Sequence, residues 1–158
     1  TRSASVAAKD DFDPFLRGYQ VAEDKLLSLI LSNHVNAEEL LLTWQKLDVY
    51  ANPLDRELVA LLLCELQQEQ VLDVRRLREE IGNPEIAQRL AQIVWSENIE
   101  LESATIVARD CLVKLEQLAL RQSITAVNER LQIEQDTAKR KQLLQELQRL
   151  IETLGGLR

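Results

Sequence analysis

The feature that most constrains the fold is a long stretch without helix-breaking residues in the last third of the chain. No glycine or proline occurs between Glu100 and Leu154. In its first half, apolar residues recur at alternating spacings of four and three, at Ala104, Ala108, Cys111, Leu115 and Leu118. This spacing places them on one face of an α-helix. A helix of about 35 residues would be roughly 50 Å long, and we expect a kink or break at Arg121-Gln122-Ser123, where the apolar stripe lapses.

A second helix is predicted to fold back along the end of this one. Asp136-Thr137 is a start signal and Gly155-Gly156 a stop signal. Between them, leucines recur at spacings of four, three and four, at Leu143, Leu147, Leu150 and Leu154. Such spacing is typical of the seam of an antiparallel helix pair. Its expected mates are Leu120, Ile124, Val127 and Leu131 of the preceding helix.

A second apolar stripe lies beside this seam, at Leu144, Ile151 and Leu157. It makes the apolar surface wider than one partner helix covers, so something else should cover it. We expect that the hairpin docks a protein partner. The alternative is that the hairpin folds back on the rest of the chain.

The preceding part of the chain has the periodicity of five shorter helices. The first begins at Tyr19 and ends near Ser32-Asn33, and the others have start signals at Asn36, Asn52-Pro53, Asp73 and Asn83-Pro84. The run LVALLLC at residues 58–64 is apolar nearly all round, which predicts a helix in the middle of a bundle. Gly82 is expected to close the fourth helix in a left-handed conformation.

These patterns predict an all-α fold, a compact helical bundle followed by a long C-terminal helical hairpin. The expected divisions are a linker at 1–18, a helical-bundle subdomain at 19–120 and the hairpin at 121–158. The chain begins with Thr1 and contains no methionine, from which we expect a fragment of a longer protein. Cys64 and Cys111 lie in apolar runs and are expected to be buried and reduced.

The charge distribution argues against nucleic-acid binding. The net charge is −7, whereas phosphate contact needs a basic patch. Residues 19–99 carry seven Lys or Arg and fourteen Asp or Glu, whereas residues 136–158 carry five and three. The run Lys139-Arg140-Lys141 is interpreted as a solvated first turn; contact with an acidic partner or nucleic acid is the alternative. No apolar run predicts a membrane span or signal peptide, so we expect a soluble, cytoplasmic protein.

The residue types needed for catalysis are scarce. The one histidine, His34, stands at a helix boundary, where a capping or surface role is expected. No zinc-ligand, phosphate-binding or dinucleotide-binding motif occurs. Trp44 and Trp95 end apolar stripes and are expected in the core, with interface anchoring as the alternative. We therefore expect no catalytic residue, metal site or cofactor.

The sequence resembles the C-terminal helicase-binding domain of bacterial DNA primase. The resemblance covers residues 19–158. It is carried by ARDCLVKLEQLALRQSITAVNERLQIEQDTAKRKQLLQELQRLIETL, with support from AEDKLLSLILSNHVNAEEL near the start. It implies a helical bundle and a hairpin that grips the N-terminal domain of the ring-shaped replicative helicase, with primer synthesis in domains outside these residues. Under this interpretation we expect no direct nucleic-acid contact, and a monomer or weak dimer when the chain is alone.

Two alternatives to this interpretation remain. The N-terminal domain of the replicative helicase has a similar bundle and hairpin, but it should lead into an ATPase domain, whereas this chain ends in GGLR like a natural terminus. The other is a self-associating helical structural domain. Under the primase interpretation, the expected partner-binding residues lie near the hairpin tip and on the second stripe. They are Arg130, Glu134, Lys139, Arg140, Leu144, Arg149, Ile151 and Leu157.

Overall fold

The structure is a computed structural model that describes residues 14–33, 35–94 and 103–157. In these residues the secondary structure is helical and contains no strand, which confirms the all-α prediction. The helices are α1 (Pro14–Leu31), α2 (Ala37–Leu47), α3 (Asp55–Glu69), α4 (Val74–Glu80), α5 (Pro84–Val94), α6 (Ala104–Ile133) and α7 (Thr137–Gly156). His34 and Trp95, singled out in the sequence, lie outside the described residues.

The chain divides into two compact units, Thr1–Leu115 and Glu116–Arg158. In the first unit, α1 packs against α2 and α5, α3 also packs against α2 and α5, and α4 packs against α5. The second unit consists of the rest of α6, together with α7. α6 therefore contributes its first turns to one unit and its last turns to the other.

Most of the apolar positions predicted to face inward in the first unit and in α6 are buried, whereas Leu47, Val74 and Ile81 are half-buried. Trp44 is fully buried, and its indole Nε1 donates a hydrogen bond of 2.9 Å to the carbonyl oxygen of Val49. The prediction that this tryptophan belongs to the core is confirmed. The other apolar residues that recur at helical spacing in these helices and lie in the core are Ala22, Leu26, Leu27, Ile30, Leu31, Leu40, Leu41, Leu58, Val59, Leu62, Leu63, Leu66, Leu77, Ile86, Leu90, Ile93, Ala104, Ala108, Cys111, Leu115 and Leu118.

Four helix starts follow the predicted capping chemistry. The side chains of Asn36, Asp73, Asn83 and Asp136 accept hydrogen bonds from backbone N–H groups of the first turns of α2, α4, α5 and α7. Such bonds satisfy N–H groups that have no partner within the helix. The helix boundaries at these positions are therefore set by local sequence.

Two other helix starts differ from the prediction. α1 begins at Pro14 rather than Tyr19, so residues 14–18 belong to a helix and not to a linker. Proline suits this first position because its fixed φ is already helical and it has no N–H to satisfy. α3 begins at Asp55 rather than Pro53, because the Asn52 side chain accepts from the N–H of Leu54 (3.1 Å) and its carbonyl from Asp55 (3.0 Å), forming a turn first.

The end of α4 was predicted wrongly. Gly82 does not adopt a left-handed conformation, since no glycine among the described residues has a positive φ. Instead, Ile81 turns into an extended conformation (φ −71°, ψ 116°), and its N–H donates to the carbonyl of Leu77. The left-handed residues are Asn33, Asp48 and Gln70, which follow α1, α2 and α3.

The apolar run of α3 predicted a helix surrounded by protein on all sides, but one face of α3 is exposed. Leu58, Val59 and Leu62 are buried, but Leu61 and Cys64 are exposed. The prediction of a buried Cys64 is wrong, because this cysteine lies on the outer face of the helix. Cys111 is buried as predicted, and burial raises the pKa of its thiol. Both cysteines are free.

α6 is an unbroken helix through Arg121-Gln122-Ser123, where a kink or break was expected. Arginine and glutamine are good helix formers, so a gap in the apolar stripe does not interrupt the backbone hydrogen bonds. The hydroxyl of Thr125 donates to the carbonyl oxygen of Arg121 at 3.0 Å, a common arrangement within a helix.

None of the described helices combines the length and apolar composition needed to cross a bilayer.

Candidate functional site

The second unit is a helical hairpin with an apolar seam. Val127 and Leu131 of α6 form one buried cluster with Leu143 and Leu150 of α7. Leu120, Ile124 and Leu147 pack against this cluster and are partly buried. The predicted pairing of the two stripes is therefore confirmed. Leu154, the last residue of the predicted seam, is half-buried.

The turn between α6 and α7 is held by polar side chains. The guanidinium Nη1 of Arg140 donates to the carbonyl oxygens of Leu131 (2.5 Å) and Glu134 (2.9 Å). These carbonyls lie at the end of α6, where they lack partners within the helix. The carboxylate of Glu134 accepts from the N–H of Asp136 at 3.2 Å. Two predicted contact residues, Glu134 and Arg140, thus contribute to the geometry of the turn.

The open end of the hairpin is also linked. The side-chain amide of Gln117 on α6 donates to the carbonyl oxygen of Leu157 at 3.2 Å. Since the turn and the open end are both fixed, the seam between them has a defined register.

The second apolar stripe is largely open to solvent. Leu144 and Ile151 each expose 52% of their surface, and Leu157 is half-buried. Ile133, at the end of α6 beside the turn, exposes 80%. Ile133 is not among the predicted contact residues. Its position directly before the polar turn Glu134-Gln135-Asp136 is the sequence feature that could have indicated its exposure.

The remaining predicted contact residues are exposed cations. Arg130 lies on α6, and Lys139 and Arg149 lie on α7. None of them has a carboxylate within ion-pair distance in the described part of the chain. At about 100° per residue, Arg149 lies about 140° around α7 from Leu144. The eight predicted residues therefore do not share one face, and among them Leu144 and Ile151, two turns apart on α7, are the exposed apolar residues.

The first unit contains a buried cluster of charged side chains that the sequence reasoning missed. Arg89 of α5 forms a bidentate pair with Asp55 of α3, from Nε to Oδ1 (2.8 Å) and from Nη2 to Oδ2 (2.7 Å). The same Nη2 lies 2.6 Å from Oδ1 of Asp24 on α1. Asp55 is fully buried and Arg89 is 6% exposed. The cluster thus ties α1, α3 and α5 together.

Glu23 of α1 belongs to the same cluster and is also fully buried. Its carboxyl oxygens accept from the N–H groups of Ala51 (2.7 Å) and Asn52 (3.0 Å) in the loop before α3. Burial, together with the hydrogen bond and charge of neighbouring Asp55, raises the pKa of Glu23 to about 10. Glu23 is therefore protonated at neutral pH.

Arg89, in contrast to the neutral Glu23, carries its charge. Burial opposes its positive charge, but its hydrogen bonds and charge interactions with Asp55 and Asp24 outweigh burial and raise its pKa. With Glu23 protonated, the positive charge of Arg89 faces two carboxyl groups, the buried Asp55 and the partly exposed Asp24. The buried hydrogen-bonding groups of Arg89, Asp55 and Glu23 are used within the cluster. We interpret it as a structural tie between helices.

This cluster did leave a sign in the sequence. Glu23 is three and four residues before Leu26 and Leu27, and Arg89 is three residues after Ile86 and four before Ile93. Both charged residues therefore stand on the apolar face of their helices. A charge in that position has to be paired when it is buried.

No group of three or more His, Cys, Asp or Glu side chains in the described ranges is arranged to hold a metal ion.

Comparison of this chain with protein-family models, curated protein sequences and solved structures finds no match.

Proposed function

We propose that this chain is a non-catalytic protein-interaction domain of a bacterial DNA primase. In this role it binds the N-terminal domain of the replicative hexameric helicase and couples primer synthesis to the replication fork. The helical hairpin of α6 and α7 is the contact element. The proposal takes the partner's identity from the sequence resemblance, and it takes the contact element from the geometry of the hairpin.

The observation that carries the proposal is the half-exposed pair Leu144 and Ile151 on α7. These residues are seven positions apart, so they lie on the same face of α7 and both contribute apolar area to it. The internal seam is already filled by Leu143 and Leu150 from the same helix. Covering the outer pair with a partner helix would remove apolar surface from water, which favours association.

The exposed cations of the hairpin support a role in orienting the partner. Arg130, Lys139 and Arg149 are available for contact with carboxylates on a partner surface. Exposed charges of this kind mainly affect the association rate and the choice of partner. The apolar pair would supply the buried area.

The buried carboxyl groups of the first unit are enclosed by their own chain. Glu23 and Asp55 are closed to solvent, and their oxygens contact the backbone or Arg89. A substrate would have no access to them in this arrangement.

The identity of the partner is tested by analytical ultracentrifugation of the whole chain, alone and with a purified replicative helicase N-terminal domain. We expect a monomer or weak dimer alone and a new, faster-sedimenting species in the mixture. If the chain forms a concentration-dependent dimer and no complex with the helicase domain, the result would favour a self-associating structural domain and contradict the proposal.

A further inference from the structure

A second surface with a defined shape lies in the first unit, in the groove between α4 and α5. The groove has a volume of about 780 Å³. Its floor consists of half-buried Val74, Ala87 and Ala91. The exposed side chains of Arg75 and Arg78 stand along one wall. None of these residues belongs to the hairpin or to the buried charge cluster.

The pairing of the arginines on α4 is uneven. Arg76 lies among three carboxylates, forming ion pairs with Glu65, with Glu69 at 3.2 Å and with Glu80 at 3.7 Å. Arg75 and Arg78 have no carboxylate within 4.0 Å in the part of the chain that the structure describes. The chain carries 26 acidic and 19 basic residues, so internal carboxylates are not scarce. With respect to the described residues, both guanidinium groups remain available to an external anion.

The other charged residue lining the groove is Glu79, which is exposed. It reduces the charge of the groove from two positive charges to one. A single excess charge is too little for a phosphate backbone, which needs a broad basic patch, and the net charge of the chain is −7. The local charge instead suits a ligand with one or two carboxylates.

The shape of the groove suits a helix. Ala87 and Ala91 are four residues apart on α5, so they form a strip of small side chains that lets another backbone approach closely. Arg75 and Arg78 are three residues apart and lie on one side of α4. Their spacing of about one turn matches carboxylates three or four residues apart on a second helix.

We propose that the groove between α4 and α5 docks an acidic amphipathic helix of a partner protein. Apolar side chains of that helix lie against Val74, Ala87 and Ala91, and its carboxylates pair with Arg75 and Arg78. This inference is independent of the helicase proposal, because it uses different residues and a different kind of partner surface.

The test uses the whole chain and a fluorescein-labelled designed helical peptide of about 15 residues. The peptide carries leucines four apart on one face with glutamates beside them; a second peptide carries glutamines in place of the glutamates. Fluorescence polarisation measures binding to the wild type, to Arg75→Gln/Arg78→Gln and to Ala91→Phe, which fills the floor without changing charge. The matched control is Arg109→Gln/Arg121→Gln, which removes two exposed arginines elsewhere.

We expect the glutamate peptide to bind the wild type and the control equally, and to bind each groove variant at least about tenfold more weakly. The glutamine peptide should also bind the wild type at least about tenfold more weakly. Equal binding to the groove variants and to the control would overturn the proposal. So would no binding of the glutamate peptide, or preferential binding of a single-stranded DNA oligonucleotide that depends on Arg75 and Arg78. Circular dichroism of each variant confirms that it is folded.

Discussion

Glu23 keeps its proton because its surroundings disfavour a negative charge. Its side chain is buried, and Asp55 lies beside it. In the unfolded chain the same carboxyl titrates near its ordinary value of 4.5, whereas in the fold its pKa is about 10. Between these two values the folded state holds one more proton than the unfolded state. The contribution of Glu23 to the free energy of unfolding is therefore greatest below pH 4.5. It decreases as the pH rises from 4.5 towards 10.

The variant Glu23→Gln should change this dependence on pH. A glutamine cannot ionise, but its amide has one acceptor oxygen where two backbone N–H groups need acceptors. We expect the variant to be less stable than the wild type near pH 6, and the difference to narrow by up to about 1.4 kcal/mol per pH unit as the pH rises. Urea denaturation of both proteins at several pH values between about 6 and 9 measures the difference in their free energies of unfolding. Parallel stability curves for the two proteins would contradict a protonated Glu23.

Arg89 neutralises a carboxylate that has no access to water. Replacing it by methionine keeps much of its volume but leaves Asp55 buried and without its bidentate partner. We expect Arg89→Met to lower the free energy of unfolding by about 3–5 kcal/mol at neutral pH. The control is Arg56→Met, which removes the exposed pair with Asp48 and should cost less than about 1 kcal/mol. Similar costs for the two variants, measured by urea denaturation, would argue against a tightly paired cluster.

At the scale of the helices, α7 uses two adjacent stripes differently. Leu150 is buried in the seam, whereas Leu144 is half-exposed. Leu150→Ala should therefore lose about 2–4 kcal/mol of hairpin stability through the lost contacts and the cavity, and Leu144→Ala should lose less than about 1 kcal/mol. Hydrogen exchange of the α7 amides reports this locally. If Leu144→Ala reduces the protection of α7 as much as Leu150→Ala does, the outer stripe is part of the internal packing.

The helices were predictable where one local rule decided the outcome. Apolar spacing placed the buried stripes, and Asn36, Asp73 and Asp136 marked helix starts through their own side chains. The prediction failed where two local rules competed. Asn52 and Pro53 form a start signal, but the Asn52 side chain and carbonyl make a turn before α3 begins. Pro14 was passed over because the apolar period becomes clear only from Tyr19.

At the scale of the whole molecule, the sequence predicted the class of fold and the pairing of α6 with α7, because both depend on spacing along the chain. It did not predict the charge cluster or the groove beside Arg75 and Arg78. Those depend on which helices of the first unit become neighbours, and neighbouring helices bring together residues such as Asp55 and Arg89, 34 positions apart. For the hairpin, spacing alone indicated an outer stripe, and the exposure of Leu144 and Ile151 agrees with it.

The central claim is that the outer stripe of the hairpin binds the helicase N-terminal domain. The most direct measurement is a calorimetric titration of that domain into the whole chain and into Leu144→Ser/Ile151→Ser. The matched control, Val71→Ser/Ile106→Ser, removes two apolar residues of similar exposure outside the hairpin unit. We predict saturable binding to the wild type and the control, and binding at least about tenfold weaker to the stripe variant. Equal affinity of the stripe variant and the control, with all three proteins folded, would contradict the account.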